Sequence, residues 1–211
     1  NLNTGNFILE SQDFAMNVLD ETFTFSRAYN SSAAGVFSIF GMGWAFSGLS
    51  RISSDDQGAT VILEDGTKYY FAKQSDGTYV NNLTTVFKLT WDTDHFVLKN
   101  QDTTWVYNEQ GFVTKNLDKQ GRETTYTYKQ GLPDTVTLKD GKTITFHYNA
   151  ENLVDEIRLG EKDKVSYGYD ANLNLISFTD QTGAVIEYTY DADHNMTSWS
   201  NQNEALVITN T

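Results

Sequence analysis

The chain has 211 residues, of which 39% are hydrophobic and 14% aromatic, so it can bury a core and intrinsic disorder is disfavoured. Its formal net charge of −13 argues against nucleic acid and anionic membranes as partners, because affinity for phosphate comes from lysine and arginine. The lack of cysteine excludes disulfides, thiolate metal sites and cysteine nucleophiles, and no apolar stretch approaches the ~20 residues of a membrane helix.

Residues 1–100 form the first predicted domain, and their pattern is typical of β-strands. Side chains alternate with period two at residues 23–29 and 60–63, and Asp65-Gly66 and Asp76-Gly77 are hairpin turn pairs. Glycine and aromatic residues are crowded together over 35–48, which predicts a tight corner where backbone packs on rings. The chain begins without methionine or a signal-peptide core, so we expect it to be cut from a longer polypeptide.

Residues 101–211 form the second predicted domain, about five copies of a unit of about 21 residues. The unit is marked by tyrosines spaced 21, 20, 21 and 21 residues apart, namely Tyr107, Tyr128, Tyr148, Tyr169 and Tyr190. A polar turn follows each tyrosine, and the residue before the next apolar side chain is Gly111, Gly131, Asn152, Asn174 or Asn195. Glycine and asparagine enter the left-handed backbone region at least cost, so we expect them to make these turns.

A second turn is predicted about 11 residues after each tyrosine. These turns fall at 118–121, 140–141, 160–163 and 180–183, with a degenerate fifth at 201–204. Between turns, β-branched and aromatic residues alternate, as at 143–148, which indicates half-buried strands. The predicted fold is therefore all-β, an antiparallel sheet of stacked β-hairpins.

The repeat resembles the YD repeat of the Rhs family. Tyr169-Asp170, Asp180 with Gly183, and Tyr190-Asp191 follow its pattern of Tyr-Asp, then Asp-x-x-Gly, then Tyr-Asp again. The first domain is similar to the module that opens an Rhs core. Its marks are Thr4-Gly5-Asn6, Arg27-Ala28-Tyr29-Asn30-Ser31, Gly41-Met42-Gly43-Trp44, Asp65-Gly66 and Tyr70-Phe71.

This resemblance implies a role in a larger protein. Rhs and YD-repeat proteins include bacterial polymorphic toxins, wall-associated proteins of Gram-positive bacteria and animal teneurins, and their repeats spiral into a β shell that can enclose a toxin. It implies a non-enzymatic scaffold segment of such a shell, secreted or at a bacterial cell surface, with the rest of the polypeptide and its toxin payload as partners. Tyr128 and Tyr148 depart from the pattern, since Lys129 and Asn149 replace the aspartate. No self-cleavage region or variable toxin tail is recognisable.

No motif predicts catalytic, cofactor-binding or metal-ligating residues, so we do not expect an enzyme. The segment from Asp191 to Asn195 resembles the start of an EF-hand loop, but Met196 and Gln202 replace its glycine and glutamate. His95, His147 and His194 include no pair at metal-ligand spacing. A nucleophile elbow and phosphate-binding loops are also absent.

The alternative function is carbohydrate or cell-surface binding. A sugar-stacking platform could be formed by Trp44, Trp91, Trp105 and Trp199 with the tyrosine series. The competing interpretation is that the regularly spaced tyrosines pack the sheet, and it is favoured because their period matches the structural unit. In that case Tyr148 and Tyr169 are expected to be buried.

The last predicted strand, at 206–209, offers an edge for self-association. It contains no proline, the only nearby charge is Glu204, and an unpaired edge templates pairing with another chain. Salt screens the net charge of −13, so we expect weak association that increases with salt and is suppressed by Val207→Lys. Sedimentation over concentration and salt series would measure it, and a strict monomer at high values of both would contradict it.

Overall fold

A computed structural model describes residues 6–201 and 205–207, and it confirms the all-β antiparallel class. The first eleven strands are β1 (Ile8–Val18), β2 (Glu21–Asn30), β3 (Phe37–Ser38), β4 (Gly41–Met42), β5 (Trp44–Ser47), β6 (Arg51–Ser54), β7 (Gly58–Ile62), β8 (Lys68–Lys73), β9 (Tyr79–Val80), β10 (Lys88–Asp92) and β11 (His95–Lys99). The others are β12 (Thr103–Tyr107), β13 (Val113–Asp118), β14 (Glu123–Lys129), β15 (Leu132–Thr137), β16 (Thr143–Tyr148), β17 (Val154–Leu159), β18 (Asp163–Tyr169), β19 (Leu175–Thr179), β20 (Val185–Tyr190), β21 (Met196–Asn201) and β22 (Ala205–Val207). The helical content of these residues is one 3-10 turn, Ser31–Ala33, and none of it is long and apolar enough to cross a membrane.

The chain forms two compact units. The first combines Asn1–Phe46 with Thr143–Thr211, and the second is Ser47–Lys142. The predicted division near residue 100 was drawn from the repeat pattern rather than from contacts, and it stays a prediction.

The first unit contains the sheet β1-β2-β5, the pair β3-β4 and the consecutive antiparallel strands β16 to β22. Alternate residues of β2 face its core, so Phe25, Arg27 and Tyr29 are buried, as the period-two pattern predicts. The Phe25 ring lies 6.0 Å from that of Phe146, between centroids, so β2 packs on the repeat strand β16.

A buried ion pair lies in this core. A bulge in the β1–β2 register falls at Asp13, and bulges can re-aim a side chain. Asp13 accepts hydrogen bonds from Arg27 Nε at 2.6 Å and Nη2 at 2.8 Å, and from the Tyr167 hydroxyl at 2.7 Å. Burial alone would lower the pKa of Arg27, but the Asp13 carboxylate raises it above its ordinary value, so the guanidinium stays charged.

The second unit contains the sheet β6-β7-β8-β9 and the consecutive antiparallel strands β10 to β15. Its hairpins turn at the predicted Gly66 and Gly77, both with a φ of +83°. Ring contacts of Tyr79 with Phe96 at 5.4 Å and of Phe87 with Trp105 at 6.1 Å hold the four-stranded sheet and its following loop against the repeat strands.

Each repeat carries one β-bulge at its signature tyrosine. The register shifts between that tyrosine and the residue before it in all five hairpins. The extra residue on the returning strand is Thr114, Asp134, Asp155, Ile176 or Thr197. A bulge disrupts the ladder locally, so it leaves backbone groups that need other partners.

The glycine-rich corner is confirmed. A Cβ on Gly43 would lie 2.6 Å from the Tyr29 ring, and one on Gly41 would lie 2.6 Å from the Leu173 carbonyl oxygen. Both glycines have positive φ, so they permit a close approach that a larger residue would prevent.

At the carboxyl end, β22 pairs with β21 and confirms a strand at Leu206 and Val207. The expected turn at 202–204 and the strand residues 208–209 lie outside the described residues, as do Thr4 and Gly5 of the opening signature. Self-association through this edge therefore stays a prediction.

Removing one member of the buried ion pair should be strongly destabilising. We expect Arg27→Met and Asp13→Asn each to lower the free energy of unfolding by roughly 3–5 kcal/mol, because each leaves a buried partner uncompensated. Lys115→Met, which breaks the half-exposed Lys115–Glu123 pair, should cost less than about 1 kcal/mol. Urea denaturation measures all three, and equal small losses would contradict the role given to the buried pair.

Candidate functional site

The candidate site is the row of tyrosine turns, meaning the residues that follow each signature tyrosine. In the turn at 170–174, Asp170 Oδ1 accepts from the backbone N–H groups of Asn172 and Asn174, each at 2.9 Å, and Oδ2 accepts from Asn174 Nδ2 at 2.9 Å. Asp191 holds the turn at 191–195 in the same way. The aspartate of the Tyr-Asp signature thus replaces the missing backbone partners of its own turn.

Asparagine performs this role in two of the three copies that lack aspartate at this position. Asn108 Oδ1 accepts from the N–H of Phe112 at 2.9 Å, and Asn149 Oδ1 accepts from that of Leu153 at 2.9 Å. The Tyr-Asn copy is therefore structurally equivalent to a Tyr-Asp copy. The turn after Tyr128 differs, since Lys129 pairs with Leu132 across two residues of positive φ, Gln130 and Gly131.

The left-handed residue of these turns was predicted correctly in three copies and wrongly in two. Gly111, Gly131 and Asn152 have positive φ. In the last two turns Leu173 (φ +65°) and His194 (φ +66°) take that conformation instead of Asn174 and Asn195. Outside the turn after Tyr128, the left-handed position lies four residues after the tyrosine. In the last two turns the asparagine one residue later hydrogen-bonds the aspartate.

The signature tyrosines connect neighbouring repeats. The Tyr128 hydroxyl donates to the Val113 carbonyl at 2.8 Å, and the Tyr169 hydroxyl donates to the Val154 carbonyl at 2.7 Å. Each accepting residue faces the tyrosine of the preceding repeat. Burial raises the pKa of both hydroxyls, so they stay protonated and act as donors. Tyr107 is fully buried, whereas Tyr128, Tyr148, Tyr169 and Tyr190 are half-buried.

Residues 29–52, here called the opening segment, supply the other partners of the turns in each unit. In the first unit the N–H of Met42 donates to the Leu173 carbonyl at 3.1 Å, and the N–H of Val154 donates to the Ile39 carbonyl at 2.8 Å. In the second unit the N–H of Ile52 donates to the Gly111 carbonyl at 2.8 Å. A Cβ on Gly111 would lie 1.9 Å from the Ile52 carbonyl oxygen, so this contact requires glycine.

The last described turn is held by a side chain instead of a backbone group. The Tyr29 hydroxyl donates to the His194 carbonyl at 2.8 Å and accepts from the Met196 N–H at 3.0 Å. His194 Nδ1 also lies 2.7 Å from Asn174 Oδ1, which links two successive turns. The opening segment therefore contacts the turns through backbone hydrogen bonds and through the Tyr29 hydroxyl.

Two of the four tryptophans predicted as sugar-stacking residues are buried and cannot offer a ring face. Trp44 is 2% exposed, lies 4.6 Å from the Arg27 guanidinium and donates from Nε1 to the Tyr190 hydroxyl. Trp105 is 6% exposed and donates from Nε1 to Glu64 at 2.7 Å. Trp91 is 44% exposed, whereas Trp199 is half-buried and its Nε1 has no partner among the described residues.

The titratable groups described here form hydrogen bonds within turns or with a neighbouring side chain. Asn195 donates to Asp191 and lowers the pKa of that carboxyl group, and burial raises the pKa of Glu64 beside Trp105. His147 is exposed on its strand. In the described part of the chain, no cluster of three histidine, aspartate or glutamate side chains could hold a metal ion. The geometry supports hydrogen bonding and packing between chain segments.

Two family models match the chain at its two ends. Residues 1–71 match a domain of unknown function, DUF6531, and residues 169–199 match the RHS Repeat. The second match covers the turns of Asp170 and Asp191. These matches support an Rhs/YD-repeat family for this chain.

Curated relatives of this chain carry the name WapA. The chain is 35% identical over 127 residues to "tRNA nuclease WapA" of Bacillus subtilis strain 168 and to "tRNA3(Ser)-specific nuclease WapA" of Bacillus spizizenii. The match covers 59% of this chain and 5% of each relative, so it spans a small part of those proteins.

Sequence reasoning missed the buried cluster of Asp13, Arg27 and Tyr167. A signal was present, because Arg27 falls in phase with Phe25 and Tyr29 on an alternating strand, and a charge in the apolar phase must find a buried partner. The identity of that partner depends on a bulge and on a strand 140 residues later, which periodicity does not report.

The signature tyrosines should contribute through packing and one hydrogen bond. We expect Tyr169→Ala and Tyr148→Ala each to cost roughly 3 kcal/mol. Tyr169→Phe should cost about 1 kcal/mol, because it leaves the Val154 carbonyl without its donor. Tyr70→Phe is the matched control, since its exposed hydroxyl also donates to a carbonyl, and unchanged denaturant midpoints for all four variants would contradict the packing role.

Stability should fall in acid through the turn aspartates. Partial burial would raise the pKa of Asp118, but hydrogen bonds from Arg122 and the turn backbone lower it from 3.8 to about 2. A carboxyl group with a depressed folded pKa stabilises above its unfolded pKa, and that contribution is lost as pH falls from about 4 to 2. Melting temperatures should drop over this range, and Asp118→Asn should reduce the drop. A drop of the same size in the variant would contradict the assignment.

Proposed function

We propose that this chain is a non-enzymatic structural segment of a larger exported Rhs/YD-repeat polypeptide, where it forms part of a β shell that encloses or presents a toxin or effector. The observation that carries the proposal is the use of the repeat signature. Tyr169 donates to the preceding repeat, and Asp170 and Asp191 organise turns that the opening segment pairs with. The polar groups of these residues form hydrogen bonds that hold chain segments together.

The names of the relatives describe tRNA nucleases, while the match covers 5% of their length. We place nuclease or other toxin activity in the remainder of such polypeptides, and assign this segment to containment or presentation. The net charge of −13 supports the assignment, because tRNA binding needs a basic surface. The similarity to Rhs repeats and to WapA proteins supports a location outside the cell or on its surface.

Carbohydrate or cell-surface binding is the second candidate function. The observation that favours it is Trp91, which is 44% exposed and is held by a T-shaped contact with the Phe96 ring, with 4.6 Å between the ring centroids. A glycan array with the native chain and Trp91→Ala separates the two candidates. Glycan signal that disappears in the variant would favour binding.

The scaffold proposal predicts that loosening the opening segment exposes the payload. In the longest polypeptide that its gene encodes, Gly41→Val should raise protease sensitivity of the payload, because the new side chain meets the Leu173 carbonyl. Gly35→Ala is the matched control, since nothing lies within 4 Å of its new Cβ. Limited proteolysis followed by mass spectrometry gives the readout.

Equal payload protection in the two variants, when Gly41→Val lowers the stability of the segment and Gly35→Ala does not, would contradict enclosure. A second readout addresses catalysis. The isolated chain should leave total tRNA intact, and cleavage that co-purifies with it and is lost on a single substitution within it would contradict the non-enzymatic assignment.

A further inference from the structure

Strand β8 of the second unit has one incompletely paired edge. It pairs with β7 along its length, from Gly58 opposite Ala72 to Ile62 opposite Lys68. On its other side β9 reaches only two positions, Ala72 opposite Val80 and Lys73 opposite Tyr79. Four residues of β8, 68–71, therefore have no strand beside them on that side among the described residues.

The hydrogen-bond pattern shows which backbone groups face this open edge. The N–H of Lys73 donates to Gln57 on the β7 side, and the N–H of Gln74 donates to Thr78 on the β9 side. Alternate residues of an antiparallel strand direct both backbone groups to the same side. Odd-numbered residues thus face β7, whereas the N–H and C=O of Lys68 and Tyr70 point to the open edge.

The chain that could have continued β9 turns away. Asn81 Oδ1 accepts from the N–H of Leu83 at 2.8 Å and from that of Thr84 at 3.1 Å, and this turn uses the residues that would otherwise pair with Lys68 and Tyr70. The Tyr70 ring also lies towards β7, since its hydroxyl donates to the Gln57 carbonyl at 3.2 Å. Neither the turn at 81–84 nor the Tyr70 ring therefore pairs with the backbone groups of Lys68 and Tyr70 at the open edge.

A groove of about 410 Å³ lies at this position. It is lined on one side by Lys68, Tyr70 and Ala72 of β8, and on the other by Val80, Leu83 and Thr84. Leu83 is 97% exposed, Tyr70 52% and Val80 42%, so apolar surface borders the unpaired backbone. Lys68 is exposed, and none of the ion pairs in the described part of the chain includes it.

We propose that this groove binds an extended peptide segment of a partner polypeptide, which adds to β8 as an antiparallel strand. Backbone pairing at an exposed sheet edge supplies affinity, and alternate side chains supply selectivity. A strand that continues the direction of β9 places one residue opposite Tyr70 and the residue two positions later opposite Lys68. The favoured segment reads apolar–x–acidic, with the apolar side chain beside Tyr70 and Val80 and the acid paired with Lys68.

A second copy of this chain fits the groove less well. Segment 81–84 borders the groove opposite β8, and adjacent strands lie about 4.8 Å apart, so a single narrow strand fits while a folded sheet edge carrying its own 81–84 turn collides. The net charge of −13 on each copy also opposes close approach, whereas one acidic residue opposite Lys68 is attracted.

The test uses the full chain, isotope-labelled, and the synthetic peptide acetyl-Val-Thr-Asp-Thr-amide, which begins opposite Tyr70 because Val80 already occupies the position opposite Ala72. Binding is followed by NMR titration and amide hydrogen exchange. The valine is placed opposite Tyr70 and the aspartate opposite Lys68. Binding should slow exchange at the amides of Lys68 and Tyr70, while Tyr69 and Phe71 are already protected by β7. N-methylation of the valine should abolish binding, and N-methylation of the following threonine, whose N–H points away from β8, should preserve it.

Charge reversal tests the register. Lys68→Glu should weaken binding at least threefold, a peptide with lysine in place of aspartate should restore it, and Lys99→Glu on another strand should leave it unchanged. Melting temperatures check that the variants fold. The proposal is overturned by no binding at millimolar peptide, by equal binding of both N-methylated peptides, or by a dimer in sedimentation that protects Lys68 and Tyr70 without peptide.

Discussion

The structure depends on backbone groups that the repeat itself leaves without partners. Each unit of about 21 residues places a β-bulge at its tyrosine, and the turn that follows presents carbonyl and N–H groups outside the ladder. Buried backbone groups without hydrogen bonds are costly, so a stack of such hairpins needs added partners. Two sources provide them here, the tyrosine hydroxyl of the next repeat and the opening segment.

This constraint explains why an irregular module accompanies a regular one. The opening segment has little ladder of its own, with two-residue strands at β3 and β4, and it contributes Ile39, Met42 and Tyr29 to the turns of the first unit. The buried Asp13–Arg27 pair, joined by Tyr167, adds specificity, because burying either charge without the other is unfavourable. The same polar groups that would destabilise either part alone favour their association.

The turns of the fold were predictable from the residues within them. Features that depend on pairing between distant strands were not predictable from the sequence. Turns at Asp118, Asp180 and Gly66 followed from residues whose side chains or missing Cβ shape their own backbone. The bulges were not predicted, since they arise only when two strands pair. The left-handed residues were expected at Asn174 and Asn195 because they were counted back from the next apolar residue, whereas their distance from the tyrosine sets their place. Exposed aromatic surface was assigned to Trp44 and Trp105, whose burial depends on distant partners.

Native-state hydrogen exchange of the first unit tests the central claim most directly. The amides of Met42, Val154 and Met196 donate across the junction between the opening segment and the tyrosine turns. If these contacts hold the unit together, their free energies of exchange should equal that of the core amide of Ile157 and should fall with it in denaturant. Rapid exchange at all three amides, with Ile157 still protected, would show that the opening segment detaches without loss of the repeat sheet and would contradict the account.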